Sequence, residues 1–326
     1  MDEAAQDHLL EQVKDYLVRR DWSGIPDMQG RNFSVSPLAH GEYNSNYLLT
    51  DDETKLVFRV NISSQIERED QILYEYRTLQ MLRFSGVTPL PVFADDSREI
   101  MDHGISIMQY LPGRPLDYTR ATDLFGAATT LARIHSTTVE GPGHLIVEQE
   151  PLNLIFRECS TLLEHYFASD LADPAIRRLL ENILIQCDSL RAGDRFFSAV
   201  SEKCIVNTEV NSGNFIVNHE QQTIHLIDWE MPRWGDPSSD LCHFCSPLTT
   251  LWKSRYRMTD TNRDQFLEAY RQGLTNPHLA KNLDQQIHLK FPFVLLRGIS
   301  WSAMAWVAYQ TEYQGIQNED TRQKLE

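Results

Sequence analysis

The sequence is poor in cysteine and has no apolar run of membrane-spanning length. Its five cysteines, an odd number in 326 residues, are dispersed along the chain and do not suggest a disulfide framework. The most apolar stretch, residues 291–307, contains Arg297 and several serines, so it is interpreted as a buried helix. The first residues also lack the basic start and apolar core of a signal peptide. These absences predict a cytoplasmic protein.

Basic residues are scarce as well. Lysine and arginine total 30 against 46 aspartates and glutamates, which gives a formal net charge of −16 at pH 7. A surface this acidic argues against sequence-independent binding to nucleic acid or to an anionic membrane. It favours solubility, and it would also favour a cationic partner. We therefore expect a small-molecule partner, no nucleic acid and no membrane, while the composition leaves the oligomeric state open.

Several common catalytic signatures are missing. The chain contains no Gly-x-x-x-x-Gly-Lys-Ser/Thr loop, no Gly-x-Ser-x-Gly elbow and no His-Glu-x-x-His helix, which argues against P-loop enzymes, α/β-hydrolases and zinc proteases of those types. Cys242 and Cys245 form a single Cys-x-x-Cys pair without a second pair at zinc-finger spacing. They are interpreted as small residues on the buried face of a helix rather than as a metal or redox site.

Apolar periodicity predicts a mixed α+β chain. The first part is predicted to contain helices at 4–20 and 65–84 and strands at 33–38, 46–50, 56–60, 91–94 and 105–110. The rest is predicted to contain helices at 121–136, 152–168, 174–191, 238–252, 262–273, 279–290 and 292–312, with short strands at 204–206, 215–217 and 223–227. The length suggests two lobes that share a cleft. We place their boundary at Leu111–Gly113, with an N-terminal lobe of residues 1–110 and a C-terminal lobe of residues 111–326.

The most specific passages are Asn207–Val217, Leu226–Glu230 and Gly235–Leu241. An acid in a loop (Glu209), an asparagine five positions later (Asn214) and an aspartate after the next hairpin (Asp228) form a pattern typical of phosphoryl transfer. The first acid can take the proton from an attacking hydroxyl, and the other two side chains can hold Mg²⁺, which accepts hard oxygen ligands. Each piece alone would fit a plain turn or a helix cap, but their order and spacing together favour catalysis.

These passages resemble the His-Gly-Asp-x-x-x-x-Asn, Ile-Asp-Trp/Phe-Glu and Gly-Asp-Pro-x-x-Asp-Leu motifs of the aminoglycoside phosphotransferase and choline kinase superfamily. Further resemblances lie at Gly41–Leu48, Leu56–Val60, Tyr74–Leu79, Met108–Leu116 and Leu131–Ser136. The resemblance implies a protein-kinase-like two-lobe fold of the α+β class, in which a small antiparallel sheet with one long helix precedes a larger helical lobe. It also implies a kinase that uses Mg²⁺ and transfers the γ-phosphate of ATP or GTP to a hydroxyl of a small acceptor.

The resemblance further implies a role for single residues. Glu209 and Asn207 fall on catalytic positions, and Asn214 and Asp228 fall on metal-binding positions. The nucleotide-binding positions fall on Gly41, Asn44, Arg59 with its partner Glu75, and the hinge residues Gln109 and Leu111. The candidates for the acceptor site are Glu230, Trp234, Arg297 and Trp301. Asp236 and Asp240 are expected to brace the helical lobe.

Two residues depart from the family pattern. The catalytic aspartate of the family is Glu209 here, and the histidine two positions earlier is Asn207. One extra methylene moves a carboxylate by roughly 1 Å, and a shift of that size can cost ~10²-fold in rate. Asn207 keeps a hydrogen-bonding side chain that can hold the loop. We therefore predict a variant kinase. The alternatives are an impaired, pseudokinase-like nucleotide-binding module that acts through a partner, and an enzyme that transfers a nucleotidyl group.

Overall fold

The computed structural model describes residues 3–41, 43–64, 66–200, 202–311 and 319–325. The chain forms two compact units. Unit 1 comprises Met1–Arg114, Val139–Leu145 and Ile216–Pro232, and unit 2 comprises Pro115–Thr138, Ile146–Phe215 and Arg233–Glu326. The boundary between residues 110 and 111, which treats each lobe as one continuous segment, stays a prediction.

The described residues contain short strands and longer helices. The strands are β1 (Ser34–His40), β2 (Asn44–Thr50), β3 (Lys55–Asn61), β4 (Pro91–Asp95), β5 (Ile105–Gln109), β6 (Arg114–Pro115), β7 (Ile146–Val147), β8 (Cys204–Val206), β9 (Phe215–Asn218), β10 (Thr223–Leu226) and β11 (Arg233–Gly235). The helices are α1 (Glu3–Arg19), α2 (Gln71–Leu82), α3 (Ala121–His135), α4 (Pro151–Ala168), α5 (Pro174–Leu190), α6 (Asp194–Ala199), α7 (Ser238–Cys245), α8 (Pro247–Lys253), α9 (Asp260–Gly273), α10 (Leu283–Gln310) and α11 (Glu319–Leu325).

Unit 1 is built on a five-stranded antiparallel sheet with the strand order β1-β2-β3-β5-β4. Its side chains alternate between the two faces, and one face buries the apolar stripe of helix α1. Val13 and Tyr16 of α1 lie in one apolar cluster with Phe58 of β3 and Ile107 of β5. Helix α2 packs against β4 and β5. The sheet and α2 thus provide the frame on which the polar side chains of this unit are placed.

Unit 2 is mostly helical. Helix α10 packs against α4, α5 and α7, and α3 packs against α9 and β8. Strand β11 pairs in parallel with β7 and in antiparallel with β8, which is the strand that leads into the loop at residues 207–214. We call this segment the 207–214 loop. It is therefore held by a short sheet on one side and by helices on the other.

Three predicted helix boundaries were wrong. The helix predicted at 65–84 begins only at Gln71, because Glu67 adopts a left-handed backbone with φ +55°. The helix predicted at 238–252 is two helices, because Pro247 cannot donate a hydrogen bond and starts α8 instead. Conversely, Pro292 does not end a helix. It lies inside α10, where packing on several neighbouring helices outweighs its missing N–H group.

Helix α10 is long and apolar enough to cross a membrane if length and composition alone are considered. It carries Lys290, which is fully buried and forms ion pairs with Asp236 and Glu148 of the same unit. Charged groups paired with neighbouring elements and packing on several helices favour a helix of the folded protein over a membrane span. Residues 291–307 are helical as interpreted from the sequence, but only 28% of the most apolar 18-residue window of α10 is buried, so the helix is partly enclosed rather than fully buried.

Candidate functional site

A buried arginine on β3 collects three carboxylates in unit 1. The Nη1 atom of Arg59 lies 3.2 Å from Oε1 of Glu75 on α2. Its Nη2 atom lies 2.7 Å from Oδ1 of Asp228 and also donates a hydrogen bond to Glu230. We call these four residues the Arg59 cluster. The predicted pair of Arg59 with Glu75 is therefore present, and the structure adds the metal-site candidate Asp228 and the acceptor-site candidate Glu230 to it.

In the Arg59 cluster one guanidinium faces three carboxyl groups, more negative charge than it could neutralise if all three were ionised. Burial raises the pKa of Glu75. Burial and the nearby Asp228 carboxylate raise the pKa of Glu230 to about 9. Burial lowers the pKa of Arg59, but the attraction of its three partners outweighs this effect and the net change is upward. Arg59 stays charged. Glu230 holds a proton at pH 7, and an additional cation would lower its pKa and allow it to ionise.

Helix α2 fixes the backbone that carries Asp228. Gln71 donates a side-chain hydrogen bond to the carbonyl of Glu230 at 2.7 Å, and the Tyr74 hydroxyl donates to the carbonyl of Pro232. Asp228 has φ +65°, a left-handed conformation that is rare for residues other than glycine. Its side chain retains 32% exposure, the largest in the cluster. A strained backbone of this kind persists where the surroundings define it, which is typical of functional sites.

The turn between β1 and β2 meets the same cluster. The Gly41 N–H group donates to the carbonyl of Asn44 at 2.9 Å and closes the turn. The Asn44 side chain donates to Glu230 and accepts from Asn61 at 3.0 Å. Asn44 is 3% exposed. It therefore braces Glu230 in this structure instead of presenting a free amide.

The hinge candidates lie at the end of β5 in unit 1. The Gln109 N–H group donates to the carbonyl of Leu90 at 2.9 Å, and the Gln109 side-chain oxygen accepts from the Leu90 N–H group at 3.3 Å. This backbone donor is engaged inside the unit, so a nucleotide base would have to use another polar group of Gln109. Leu111 lies just beyond the strand and is partly exposed.

The 207–214 loop of unit 2 is held by its own asparagines. The Asn207 side chain accepts from the Glu209 N–H group at 3.1 Å. The side-chain amides of Asn211 and Asn214 both donate to the Glu209 carbonyl, at 3.1 and 3.0 Å. Asn207 thus performs the holding role predicted for it, and the Asn214 amide nitrogen is used by the loop. This orientation directs the Asn214 side-chain oxygen away from that carbonyl and leaves it as the ligand atom suited to a hard cation.

Asp240 and Asp236 brace unit 2, as predicted. The Asp240 carboxylate on α7 accepts from the N–H groups of Asn207 and Thr208 at 2.9 and 2.7 Å. Thr208 has φ +72°, so these bonds hold a strained point of the loop directly before Glu209. Asp236 accepts from the buried Lys290, which also donates to Ser239 at 2.7 Å.

The other three acceptor-site candidates lie in unit 2. Arg297 on α10 lies 3.3 Å from Glu158 of α4. Burial lowers the pKa of Arg297, but the attraction of Glu158 and of Glu209 raises it overall, which places a cation near the Glu209 carboxylate. Trp301 stands edge-on to Trp252, with ring centroids 5.3 Å apart. Trp234 lies on β11 opposite Ile205 of β8.

The model of the Phosphotransferase enzyme family matches residues 34–282, well over half of the chain. The chain belongs to this family. The match includes the Arg59 cluster and the 207–214 loop, and it confirms the resemblance found in the sequence. No curated protein sequence matches the chain. Membership makes phosphoryl transfer its class of activity.

Solved structures of known phosphotransferases share the fold of this family member. Choline kinase from Cryptosporidium parvum Iowa II is 15% identical, with a TM-score of 0.62 over 93% of this chain and 90% of that one. Ethanolamine kinase from Plasmodium vivax is 15% identical, with a TM-score of 0.57 over 92% and 82%. Spectinomycin phosphotransferase, solved with ADP and spectinomycin, is 13% identical, with a TM-score of 0.55 over 90% and 87%. The predicted kinase-like fold of the α+β class is thereby confirmed.

One residue near the loop was not recognised from the sequence as part of the site. This residue is His243 on α7. Its Nδ1 atom donates to the Val210 carbonyl at 3.2 Å, next to Glu209. Burial, together with the charge of Arg297, lowers the pKa of His243 to about 4. The imidazole is therefore neutral at pH 7. Only the position of His243 three residues after the family aspartate Asp240 could have suggested this contact.

The pKa of His243 makes stability depend on pH. An unfolded histidine has a pKa of ~6.5, so between about pH 6.5 and 4 the unfolded chain binds a proton that the folded chain does not. Stability should fall as the pH decreases through this window, by at most about 1.4 kcal/mol per pH unit from this residue. In His243→Gln, measured by denaturant unfolding at several pH values, this contribution should disappear. His8→Gln, at an exposed position on α1, should leave the profile unchanged, and equal profiles for the wild type and His243→Gln would contradict the assignment.

The Cys-x-x-Cys pair lies on the buried side of helix α7, as interpreted from the sequence. Cys242 and Cys245 are both buried on α7, and all five cysteines of the chain are free thiols. Burial raises the pKa of each of these two thiols. Within the described ranges, no three His, Cys, Asp or Glu side chains come together to hold a metal ion. A magnesium site of Asn and Asp oxygens is of a different kind.

Proposed function

We propose that the protein is a small-molecule kinase that transfers the γ-phosphate of a nucleoside triphosphate, ATP or GTP, to a hydroxyl of its acceptor. The observation that carries the proposal is the Arg59 cluster, in which one guanidinium is shared by three carboxylates. Such a cluster can bind a metal–nucleotide complex. The triphosphate can replace carboxylates at the guanidinium, and the released carboxylates can bind a cation. The family match supports it, and so does the spectinomycin phosphotransferase of the same fold that was solved with ADP.

Asp228 and Asn214 are the residues we assign to Mg²⁺. Both offer oxygen atoms. Asp228 has the most exposed carboxylate of the Arg59 cluster, and the Asn214 amide nitrogen is already bonded within the loop, which leaves its oxygen. Hard oxygen ligands and excess negative charge fit this ion. When bound, Mg²⁺ would neutralise charge that develops on the transferring phosphoryl group. We assign Gly41 and Asn44 to the turn that covers the phosphates, and Gln109 and Leu111 to the edge of the base.

Arg59 would bind the phosphates of the nucleotide. Its guanidinium can grip two phosphate oxygens at once, and Glu75 would hold it in place during this contact. The triphosphate must then compete with Glu230 for Nη2 of Arg59. Asn44, which donates to Glu230, would keep that carboxylate close when it is released.

Glu209 is the carboxylate we assign to the acceptor hydroxyl. Its backbone is fixed on both sides, since its N–H group is held by Asn207 and its carbonyl by Asn211 and Asn214. The charge of Arg297, whose ion pair is with Glu158, also attracts this carboxylate through space. A fixed backbone with a placed cation suits a glutamate that takes a proton from the attacking hydroxyl.

The acceptor we propose is a small molecule with a hydroxyl and a cationic group. The net charge of −16 favours a cation, and two enzymes of the same fold are by name kinases of choline and ethanolamine. Glu230, Trp234 and Trp301 are its proposed contacts, with Arg297 near the reacting end. We further propose that the protein works in the cytoplasm, in keeping with its free thiols.

A panel of hydroxyl compounds tests this function. Choline-like amines, aminoglycosides, sugars and amino-acid alcohols are each incubated with MgATP or MgGTP, and the product mass is measured. Addition of one phosphoryl group to a cationic acceptor is the expected result. Addition of a nucleotidyl group would contradict phosphoryl transfer, and nucleotide binding without any transfer would favour the pseudokinase-like module.

Replacing Glu209 by aspartate should lower kcat, although it restores the residue typical of the family. The loop backbone is fixed, so the shorter side chain withdraws the carboxylate by roughly 1 Å, and a loss of about 10²-fold is expected. Steady-state kinetics with the acceptor found in the panel measure it. Glu220→Asp, at an exposed position, is the matched control and should keep full kcat. A higher kcat in Glu209→Asp would mean that the glutamate is a handicap rather than an adapted base.

A further inference from the structure

A buried series of hydrogen bonds connects helix α9 to the 207–214 loop. The Tyr270 hydroxyl on α9 lies 2.9 Å from Nδ1 of His135, the last residue of α3. The Nε2 atom of His135 lies 3.1 Å from Oδ2 of Asp240 on α7. The side chains of His135 and Asp240 have no exposed surface, and Tyr270 is fully buried. Helices α9, α3 and α7, which are distant in sequence, are thus connected by two hydrogen bonds that end at the Asp240 carboxylate.

The Asp240 carboxylate at the end of the series determines which atom donates in each of the two hydrogen bonds. The Asp240 carboxylate accepts from the N–H groups of Asn207 and Thr208, so its bond with His135 requires that the imidazole donates. In the tautomer with its proton on Nε2, His135 donates to Asp240 and its Nδ1 accepts from the Tyr270 hydroxyl. Burial raises the pKa of Tyr270, so this hydroxyl remains a donor. Tyr270 consequently selects the tautomer of His135 that can bind Asp240.

The 207–214 loop depends on this carboxylate. Thr208 has φ +72°, and its N–H group is bonded to Asp240 at 2.7 Å directly before Glu209. A residue in this conformation is strained, and it persists only if its surroundings define it. If His135 changed tautomer, a nitrogen lone pair would face the Asp240 carboxylate and push it away from the loop. The position of Glu209 would then be less well defined.

We infer that Tyr270 and His135 are positioning residues for phosphoryl transfer, which act on Glu209 through Asp240 and the backbone of the 207–214 loop. This inference rests on the proposed function for its effect on rate. Its effect on the loop does not depend on that function. Neither residue needs to touch nucleotide, metal or acceptor, so both should affect turnover without affecting nucleotide affinity.

Tyr270→Phe removes only the hydroxyl and tests this relay. Amide hydrogen exchange, measured without ligand, should become faster at Asn207 and Thr208. The kcat for transfer of the γ-phosphoryl group of MgATP to water or to the identified acceptor, measured as ADP formed, should fall about 10-fold, because a displaced support of a reacting group typically has an effect of this size. The KM for MgATP should stay within about twofold, since ground-state binding is untouched. This split is not expected from a general loss of stability.

Two further variants make the result specific. Tyr166→Phe also removes a buried hydroxyl of unit 2, one that accepts from the Asp173 N–H group, and it should change neither loop exchange nor kcat. His135→Gln replaces Nε2 by an amide that donates whatever the neighbour is, so Tyr270→Phe in this background should have little further effect. Unchanged exchange at Asn207 and Thr208, or faster exchange with unchanged kcat in an active enzyme, would overturn the relay. A wild type that neither binds nor turns over MgATP would refute the proposed function instead, and loop exchange alone would then decide the relay.

Discussion

Asp228→Asn is expected to abolish turnover and leave the fold intact. The substitution keeps the shape of the side chain and removes the charge that we assign to Mg²⁺. A loss of about 10²- to 10³-fold in kcat is expected, as for other groups that stabilise transition-state charge. The folded state should be as stable as the wild type or more stable, because Arg59 keeps Glu75 as an ion partner and Glu230 as a hydrogen-bond partner, and the repulsion between Asp228 and Glu75 is removed.

The measurement pairs kinetics with unfolding by denaturant. Asp51→Asn is the matched control, since Asp51 is also ion-paired with an arginine of unit 1, at 2.8 Å from Arg31. This variant should retain the kcat of the wild type. Full activity in Asp228→Asn would remove Asp228 from the mechanism. A large loss of stability in Asp228→Asn would show that the carboxylate supports the fold rather than the reaction.

Arg59→Met is expected to have the largest effect on stability. It leaves Glu75, whose side chain is 2% exposed, and Asp228 without their counter-ion, and it removes a hydrogen-bond donor from Glu230. Breaking a buried ion pair by removing one partner typically costs 3–5 kcal/mol, and we expect a loss of about that size. Without Arg59, the folded-state pKa of Glu75 would rise further above its unfolded value. The lost stability should therefore be partly recovered as the pH is lowered and the carboxylates are protonated.

Denaturant unfolding at two pH values checks this expectation. Arg31→Met, which breaks the partly exposed pair with Asp51, is the control and should change stability by about 1 kcal/mol or less. Arg59→Lys keeps the charge and loses the forked geometry, so its effect should lie between the two. A loss below about 1 kcal/mol in Arg59→Met would contradict the assigned charge balance of the Arg59 cluster.

The sequence predicted most of the regular elements, because their apolar periodicity reports directly which face is buried. The five strands of the sheet in unit 1 and the helices α3, α4 and α5 begin and end close to the predicted residues. The prolines were interpreted less well. Pro247 begins a helix inside a predicted one, and Pro292 lies inside a helix predicted to break. Whether packing outweighs a missing N–H group depends on neighbours that local sequence does not reveal.

In the candidate site, too, residues in short motifs could be predicted from the sequence, whereas contacts between distant segments could not. Glu209, Asn214 and Asp228 could be recognised because they lie at fixed spacings in short motifs. The partners of these motifs could not be assigned from spacing. Asn44 contacts Glu230 across 186 positions, and the Tyr270 hydroxyl meets His135 across 135 positions. Such hydrogen bonds depend on the packing of whole elements, so only the folded chain reveals them.

Thermal unfolding with and without MgATP and MgGTP tests the central claim most directly. A ligand that binds only the folded state, at ~100 times its dissociation constant, adds about 2.7 kcal/mol of stability. The account predicts a rise in Tm with one of the two nucleotides that requires Mg²⁺ and is lost in Asp228→Asn. No rise with either nucleotide, or an equal rise in the wild type and in Asp228→Asn, would contradict it.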